Sequence, residues 1–199
     1  MKKIIFTLLF FVLYSCGGPT IESTSNDFQY IEQSEKGIVY YKGTPFKGRI
    51  IKYNENGLLD ADINYKDGMT DGLYKTYHIN GQLGVKANYK DGKLEGLWQI
   101  YSEKGQLAME GNYIDGKQEG FFRIYHKNGQ LDSDGNYKDE KQEGLWKFYH
   151  ENGQLKSEGN LKDGEMEGLW KSYYENGQLR QETTYKNGKV IKMKKYPNL

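Results

Sequence analysis

The chain has 199 residues and 28 Lys+Arg against 27 Asp+Glu, a formal charge of +1, which leaves no electrostatic footprint for nucleic acid. Hydrophobic residues reach only 36%, yet there are 25 glycines and 18 tyrosines, too few aliphatics for a thick two-layer core and too many aromatics for disorder. One cysteine excludes an internal disulfide framework and a cysteine-based zinc site.

Met1-Lys2-Lys3 is a short basic segment, followed by the apolar run Ile4 to Leu13. The run is too short for a stable bilayer span and has the proportions of a signal-peptide core. It ends in Leu13-Tyr14-Ser15-Cys16, which resembles the lipobox of bacterial lipoproteins. The resemblance implies that residues 1–15 are a signal peptide and that Cys16 carries the lipid; an ordinary secretory signal is the alternative. Loss of residues 1–15 leaves 26 Lys+Arg against 27 Asp+Glu, a formal charge of −1. Residues 16–27, rich in Gly, Ser, Thr and Asn, are expected to form a flexible tether, with the remaining 28–199 as one domain at the bacterial cell envelope.

Residues 28–42 are expected to form an irregular opening hairpin. Beyond them one pattern recurs with a period of 24 and no insertion, over 41–64, 65–88, 89–112, 113–136, 137–160 and 161–184, with a partial unit at 185–196. A fixed period of this size signals a repeat architecture. Each unit holds two turn dipeptides, one Asn-Gly (Asn80-Gly81, Asn128-Gly129, Asn152-Gly153, Asn176-Gly177; Lys104-Gly105 in one unit) and the other Asp-Gly (Asp67-Gly68, Asp91-Gly92, Asp115-Gly116, Asp163-Gly164). Both dipeptides suit two-residue type I′ turns, so two ten-residue strands and two such turns account for 24 residues.

The fold expected is all-β, an elongated single-layer antiparallel meander of hairpins. A turn at Asn152-Gly153 sets Lys147 opposite Glu158, Phe148 opposite Ser157 and Trp146 opposite Gly159; one unit earlier it sets Arg123 opposite Asp134, one later Lys171 opposite Glu182. Facing opposite charges support this register. A turn at Asp163-Gly164 sets Leu161 opposite Met166 and Ser157 opposite Trp170. Two positions strain the scheme: Lys75 meets Lys86, and Glu140 stands where the turn wants glycine, at ~1–2 kcal/mol for a left-handed non-glycine residue. The last strand carries Lys192, Lys194 and Lys195, and lysines on an edge discourage pairing with another chain.

One face of such a sheet carries an aromatic column, Tyr74, Trp98, Phe122, Trp146 and Trp170. The column is either a structural spine, around which a one-layer sheet curls, or a binding surface, since Trp and Tyr anchor interfaces and large exposed apolar areas mark them. The other face is polar apart from Tyr101, Tyr125, Tyr149 and Tyr173. His78, His126 and His150 share one repeat position and lie at least ~9.5 Å apart by strand spacing, which disfavours a shared metal. The acids Asp71, Glu95, Glu119, Glu143 and Glu167 form another column; identical surroundings in every unit argue against an acid–base pair, which needs two unlike environments. No phosphate loop, dinucleotide fingerprint or nucleophile motif is present, so neither catalysis nor a cofactor or metal is expected.

The recurring G-L-W-K-x-Y-x-x-N-G-Q-L followed by Y-K-D-G-K, over about residues 41–190, resembles the MORN-repeat variant of bacterial proteins grouped as the YwqK-like antitoxin family. The resemblance implies a β-repeat fold and, through the antitoxin label, a protein partner in the form of a toxin to be neutralised. Repeats of this kind are also associated with scaffolding and with membranes or lipids. The function expected is a non-enzymatic, membrane-tethered binding module for a protein partner; the alternative is an envelope scaffold that binds glycan or lipid.

Overall fold

The computed structural model describes residues 18–198, so the expected signal peptide and Cys16 lie outside the described residues. The chain opens with β1 (Thr20–Glu22), one turn of 3-10 helix (Asn26–Tyr30), β2 (Ile31–Gln33), β3 (Val39–Tyr41), β4 (Thr44–Pro45), β5 (Gly48–Tyr53) and β6 (Leu59–Lys66). Nine- and eight-residue strands then alternate: β7 (Met69–Tyr77), β8 (Leu83–Lys90), β9 (Lys93–Tyr101), β10 (Leu107–Ile114), β11 (Lys117–Tyr125), β12 (Leu131–Lys138), β13 (Lys141–Tyr149), β14 (Leu155–Lys162), β15 (Glu165–Tyr173) and β16 (Leu179–Lys186). β17 (Lys189–Lys195) closes the array.

Strands β5 to β17 form one antiparallel sheet in strict chain order, with β1 added in parallel beside β5 to make 14 strands. At ~4.8 Å per strand it runs roughly 60 Å from end to end. The expected meander of repeated hairpins is therefore the observed architecture.

The expected opening hairpin is present as the antiparallel pair β2–β3, but the preceding segment differs from the expected tether. Residues 20–22 pair with Arg49–Ile51, because Ile21 is an apolar residue that buries with Val39, Phe46 and Ile50 in a small core of its own. Ordering of 26–30 as helix and a separate three-stranded sheet, β2-β3-β4, complete this cap. A repeat array needs such a terminal unit to cover its first repeat.

The two turns of each unit prove unlike. Asp163 and Gly164 both take positive φ, 53° and 85°, as type I′ requires. At the other turn the His150 N–H donates to the Gln154 carbonyl and the Gly153 N–H to the His150 carbonyl, both at 2.8 Å. Only Gly153 of that loop is left-handed, at φ 82°, so the expected two-residue turn is a three-residue loop ending in a glycine bulge. Asn152 serves there through its side chain, whose Oδ1 accepts the Gln154 N–H at 2.9 Å.

The expected pairs around the Asn-Gly loops are all present: Lys147–Glu158, Phe148–Ser157, Trp146–Gly159, Arg123–Asp134 and Lys171–Glu182. Across Asp163-Gly164 the pair Leu161–Met166 forms, but Ser157 faces Ser172 and not Trp170. Between Glu158–Lys171 and Asn160–Glu167, Gly159 opposes Gly168, Leu169 and Trp170. This bulge is made by Gly168, left-handed at φ 74° inside β15, a conformation costly for residues with a Cβ. The G of each G-L-W segment is thus a bulge glycine, and the strands are shorter than ten residues because bulge and longer loop consume the difference.

Candidate binding surface

Successive residues of β9 point to opposite faces, and the same holds in each equivalent strand. On one face lies the aromatic column. Trp146 and Trp170 are 2% and 6% exposed, leaving almost no ring surface for a partner, whereas Tyr74, Trp98 and Phe122 are half-buried. Burial comes from two sources. The seat facing each ring shrinks along the array, from Ile63 at Tyr74 and Ala87 at Trp98 to Gly111 at Phe122, Gly135 between Phe122 and Trp146, and Gly159 between Trp146 and Trp170. A Cβ on Gly135 would fall inside the Trp146 indole. The rings also pack on one another: Tyr137 contacts Phe122 and Trp146 at 5.4 and 5.6 Å, and Phe148 bridges Trp146 and Trp170 at 6.2 Å to each. The indole N–H groups of Trp146 and Trp170 donate to the Asn136 and Asn160 carbonyls at 3.2 and 3.0 Å.

The opposite face holds three parallel stripes. The first, which the sequence reading missed, is an apolar column of Leu73, Leu97, Phe121, Leu145 and Leu169, each facing an Asn or Thr on the neighbouring strand. Leu97, Leu145 and Leu169 are 38%, 47% and 48% exposed. The signal lay in the residue preceding each aromatic of the column, which alternation sends outward.

The second stripe is a charge ladder. From β10 to β17 it reads Glu110, Arg123, Asp134, Lys147, Glu158, Lys171, Glu182 and Lys194, each facing the next. The third is the tyrosine column, and its hydroxyls reach back one strand to the acids: Tyr125 donates to Glu110 at 2.8 Å, Tyr149 to Asp134 at 3.1 Å, Tyr173 to Glu158 at 3.1 Å and Tyr196 to Glu182 at 2.7 Å. Burial, then the Asp134 charge and its hydrogen bond, push the Tyr149 phenol up to about 12. The ladder breaks where Lys75 faces Lys86; Tyr101, with Lys86 in place of an acid on the preceding strand, donates to Gln99 of its own strand at 3.1 Å.

The remaining polar columns stitch unit to unit. The acids Asp71, Glu95, Glu119, Glu143 and Glu167 each accept the backbone N–H of the turn residue 20 positions on, Asp91, Asp115, Asp139, Asp163 and Asn187, at 2.8–3.1 Å. His78, His126 and His150 bond through Nε2 to the carbonyls of Tyr101, Tyr149 and Tyr173 in the following unit, at 2.8, 3.1 and 3.1 Å. Among the described residues no group of three His, Cys, Asp or Glu is placed to hold a metal ion.

Comparison with known protein families matches the MORN repeat variant over residues 70–91, 94–115, 118–139, 142–163 and 166–187. Comparison with curated proteins finds no match. The five matched segments recur every 24 residues, in step with the hairpins, and cover over half of the sequence. Such repeats build binding modules by stacking, and the five segments carry the bulge glycine, the ring column and the inter-unit bonds described above. The chain therefore belongs to the MORN repeat variant family.

Proposed function

We propose that this protein is a non-enzymatic binding module, held at a bacterial envelope membrane by a lipid on Cys16, whose rigid sheet covers the working surface of a protein partner. Occlusion of a toxin would need area and shape but no reaction centre. The observation that supports the reading is the exposed apolar column, Leu97, Leu145 and Leu169, running beside a ladder of alternating charge. Apolar side chains in a row, rimmed by charge that fixes register, are the composition of a recognition patch. Half-buried Tyr74, Trp98 and Phe122 remain the aromatic contacts of this proposal, while Trp146 and Trp170 act through the shape of the sheet.

The test is affinity capture from solubilised envelopes with a Cys16→Ser protein as bait and a Leu145→Asp/Leu169→Asp variant in the same background as control. One protein recovered stoichiometrically with the parent and lost with the variant carries the proposal, and relief of that protein's toxicity on co-expression carries the antitoxin form. Recovery of no protein, with sedimentation of the bait on cell-wall glycan or liposomes, replaces it by the envelope-scaffold reading.

A further inference from the structure

The loop edge of the array is stitched by two side chains per junction. The histidine at the start of one loop reaches the tyrosine carbonyl 23 residues on, and the loop asparagine donates to a loop carbonyl at the same spacing: Asn80 to Glu103 at 2.8 Å, Asn128 to Glu151 at 2.6 Å and Asn152 to Glu175 at 2.9 Å. Where Tyr174 replaces histidine, its hydroxyl reaches the Tyr196 carbonyl at 3.0 Å, and Asn176 reaches Asn198 at 2.9 Å.

The third unit departs from this. Its loop is Ser102-Glu103-Lys104-Gly105, with serine at the histidine position and lysine at the asparagine position. The Ser102 hydroxyl turns inward to accept the Gln106 N–H at 3.3 Å. Among the described residues no side chain of this loop bonds to the Tyr125 or Lys127 carbonyl, the acceptors that the pattern places here. A cavity of 440 Å³ opens at this junction, lined by Ser102, Leu107, Ala108, Tyr125 and His126, with two cations, Lys104 and Lys127, and one carboxylate, Glu103, on its wall. That volume is within the range of small-molecule sites.

We propose that this gap between the third and fourth units is a ligand site for a small planar N–H heterocycle that carries an acidic group. The missing side chains define the ligand. At the neighbouring junctions an imidazole N–H and an amide N–H occupy the equivalent space, so a flat ring with N–H donors replaces what serine and lysine no longer supply. Leu107, Ala108 and the Tyr125 ring give it an apolar bed, and the ammonium groups of Lys104 and Lys127 favour a carboxylate or phosphate on it. The inference is independent of the protein-partner reading, since it uses the loop edge and not the sheet face.

The probe is imidazole-4-acetate, titrated against the 15N-labelled protein by NMR. Saturable shifts at the amides of 102–108 and 125–127 are expected. A Ser102→His/Lys104→Asn variant, which restores the stitching, should lose those shifts while melting at a higher temperature than the parent. A Lys104→Gln/Lys127→Gln variant, altered only at exposed positions, should bind roughly tenfold more weakly if its cations recognise the acid. Absence of saturable shifts in the parent at millimolar probe, or binding undiminished in the restored-stitch variant, overturns the site. Binding that survives loss of both lysines unchanged overturns the acidic part of the ligand assignment.

Discussion

At the scale of single residues, glycine and tryptophan share one volume. Gly135 has no Cβ because the Trp146 indole occupies that space. Gly135→Ala should therefore cost about 1–3 kcal/mol, the range for forcing a methyl into a packed site. Urea denaturation of Gly135→Ala, Trp146→Phe and the double variant should give a double cost below the sum of the singles, because the smaller ring leaves room for the methyl; strict additivity would refute the shared volume. Tyr149 supplies a second residue-scale outcome. Its phenol is raised to about 12, by burial first and then by Asp134, above the ~10 of an unfolded chain. A raised pKa favours the protonated form in the folded state, so this contribution to stability is complete below pH ~10 and disappears as pH rises toward about 12. Absorbance titration of phenolate should show a late-titrating tyrosine that Tyr149→Phe removes and Asp134→Asn moves back toward ~10. A Tyr149 that titrates with the exposed tyrosines would contradict the assignment.

At the scale of the hairpin, each unit depends on its neighbour for hydrogen-bond partners. Glu143 accepts the Asp163 N–H at 3.1 Å, where the backbone is held at positive φ. Glu143→Ala should lower stability by ~0.5–1.5 kcal/mol, the usual net worth of one such bond. Glu143→Gln should cost less, since an amide oxygen also accepts, and the Asp163 amide should exchange faster with solvent only in the alanine variant. Equal exchange in both would show that the carboxylate is mere surface charge. How much of the hairpin was legible follows from which signals are local. The 24-residue period, the charge pairs and Trp146 opposite Gly159 could be read because facing residues sit at fixed sums of position about a turn. The bulge at Gly168 could not, because a glycine in G-L-W serves equally as a packing residue or as a left-handed one. Asn152 misled for a related reason: Asn-Gly is used both by a two-residue turn and by a longer loop capped through the side chain. The acid and histidine columns were visible as columns, but their partners lie 20 and 23 residues on, beyond any pairing about a single turn. The outer apolar column was hidden in plain alternation, since each of its members directly precedes an aromatic of the ring column.

At the scale of the whole molecule, the array is nearly one-dimensional: each strand from β6 to β16 pairs only with its sequence neighbours. Stability in such a chain is close to a sum of unit and junction terms. Deletion of residues 137–160, one whole unit, joins Asn136 to Leu161; the register features of the junction find like replacements, while Leu161 takes the position of Tyr137 and Ile124 that of Phe148. Gly135 then seats Trp170 as Gly159 did, Asp134 then meets Lys171, His126 reaches the Tyr173 carbonyl, and Glu119 caps the turn at Asp163. The shortened protein should fold, with a lower unfolding free energy and a sheet shorter by roughly 10 Å, two strand spacings, measured by small-angle scattering beside circular dichroism. Deletion of half a unit, residues 137–148, should not be tolerated, because it puts strands in the wrong direction and sends the ring column to the polar face. If both deletions fold, or both fail, the period of 24 is not the unit of construction. The whole-unit deletion also leaves the Ser102 and Lys104 junction intact, so binding of imidazole-4-acetate there should persist in a chain that has lost a third of the exposed leucines Leu97, Leu145 and Leu169. Ligand site and sheet face would then be separable in one protein.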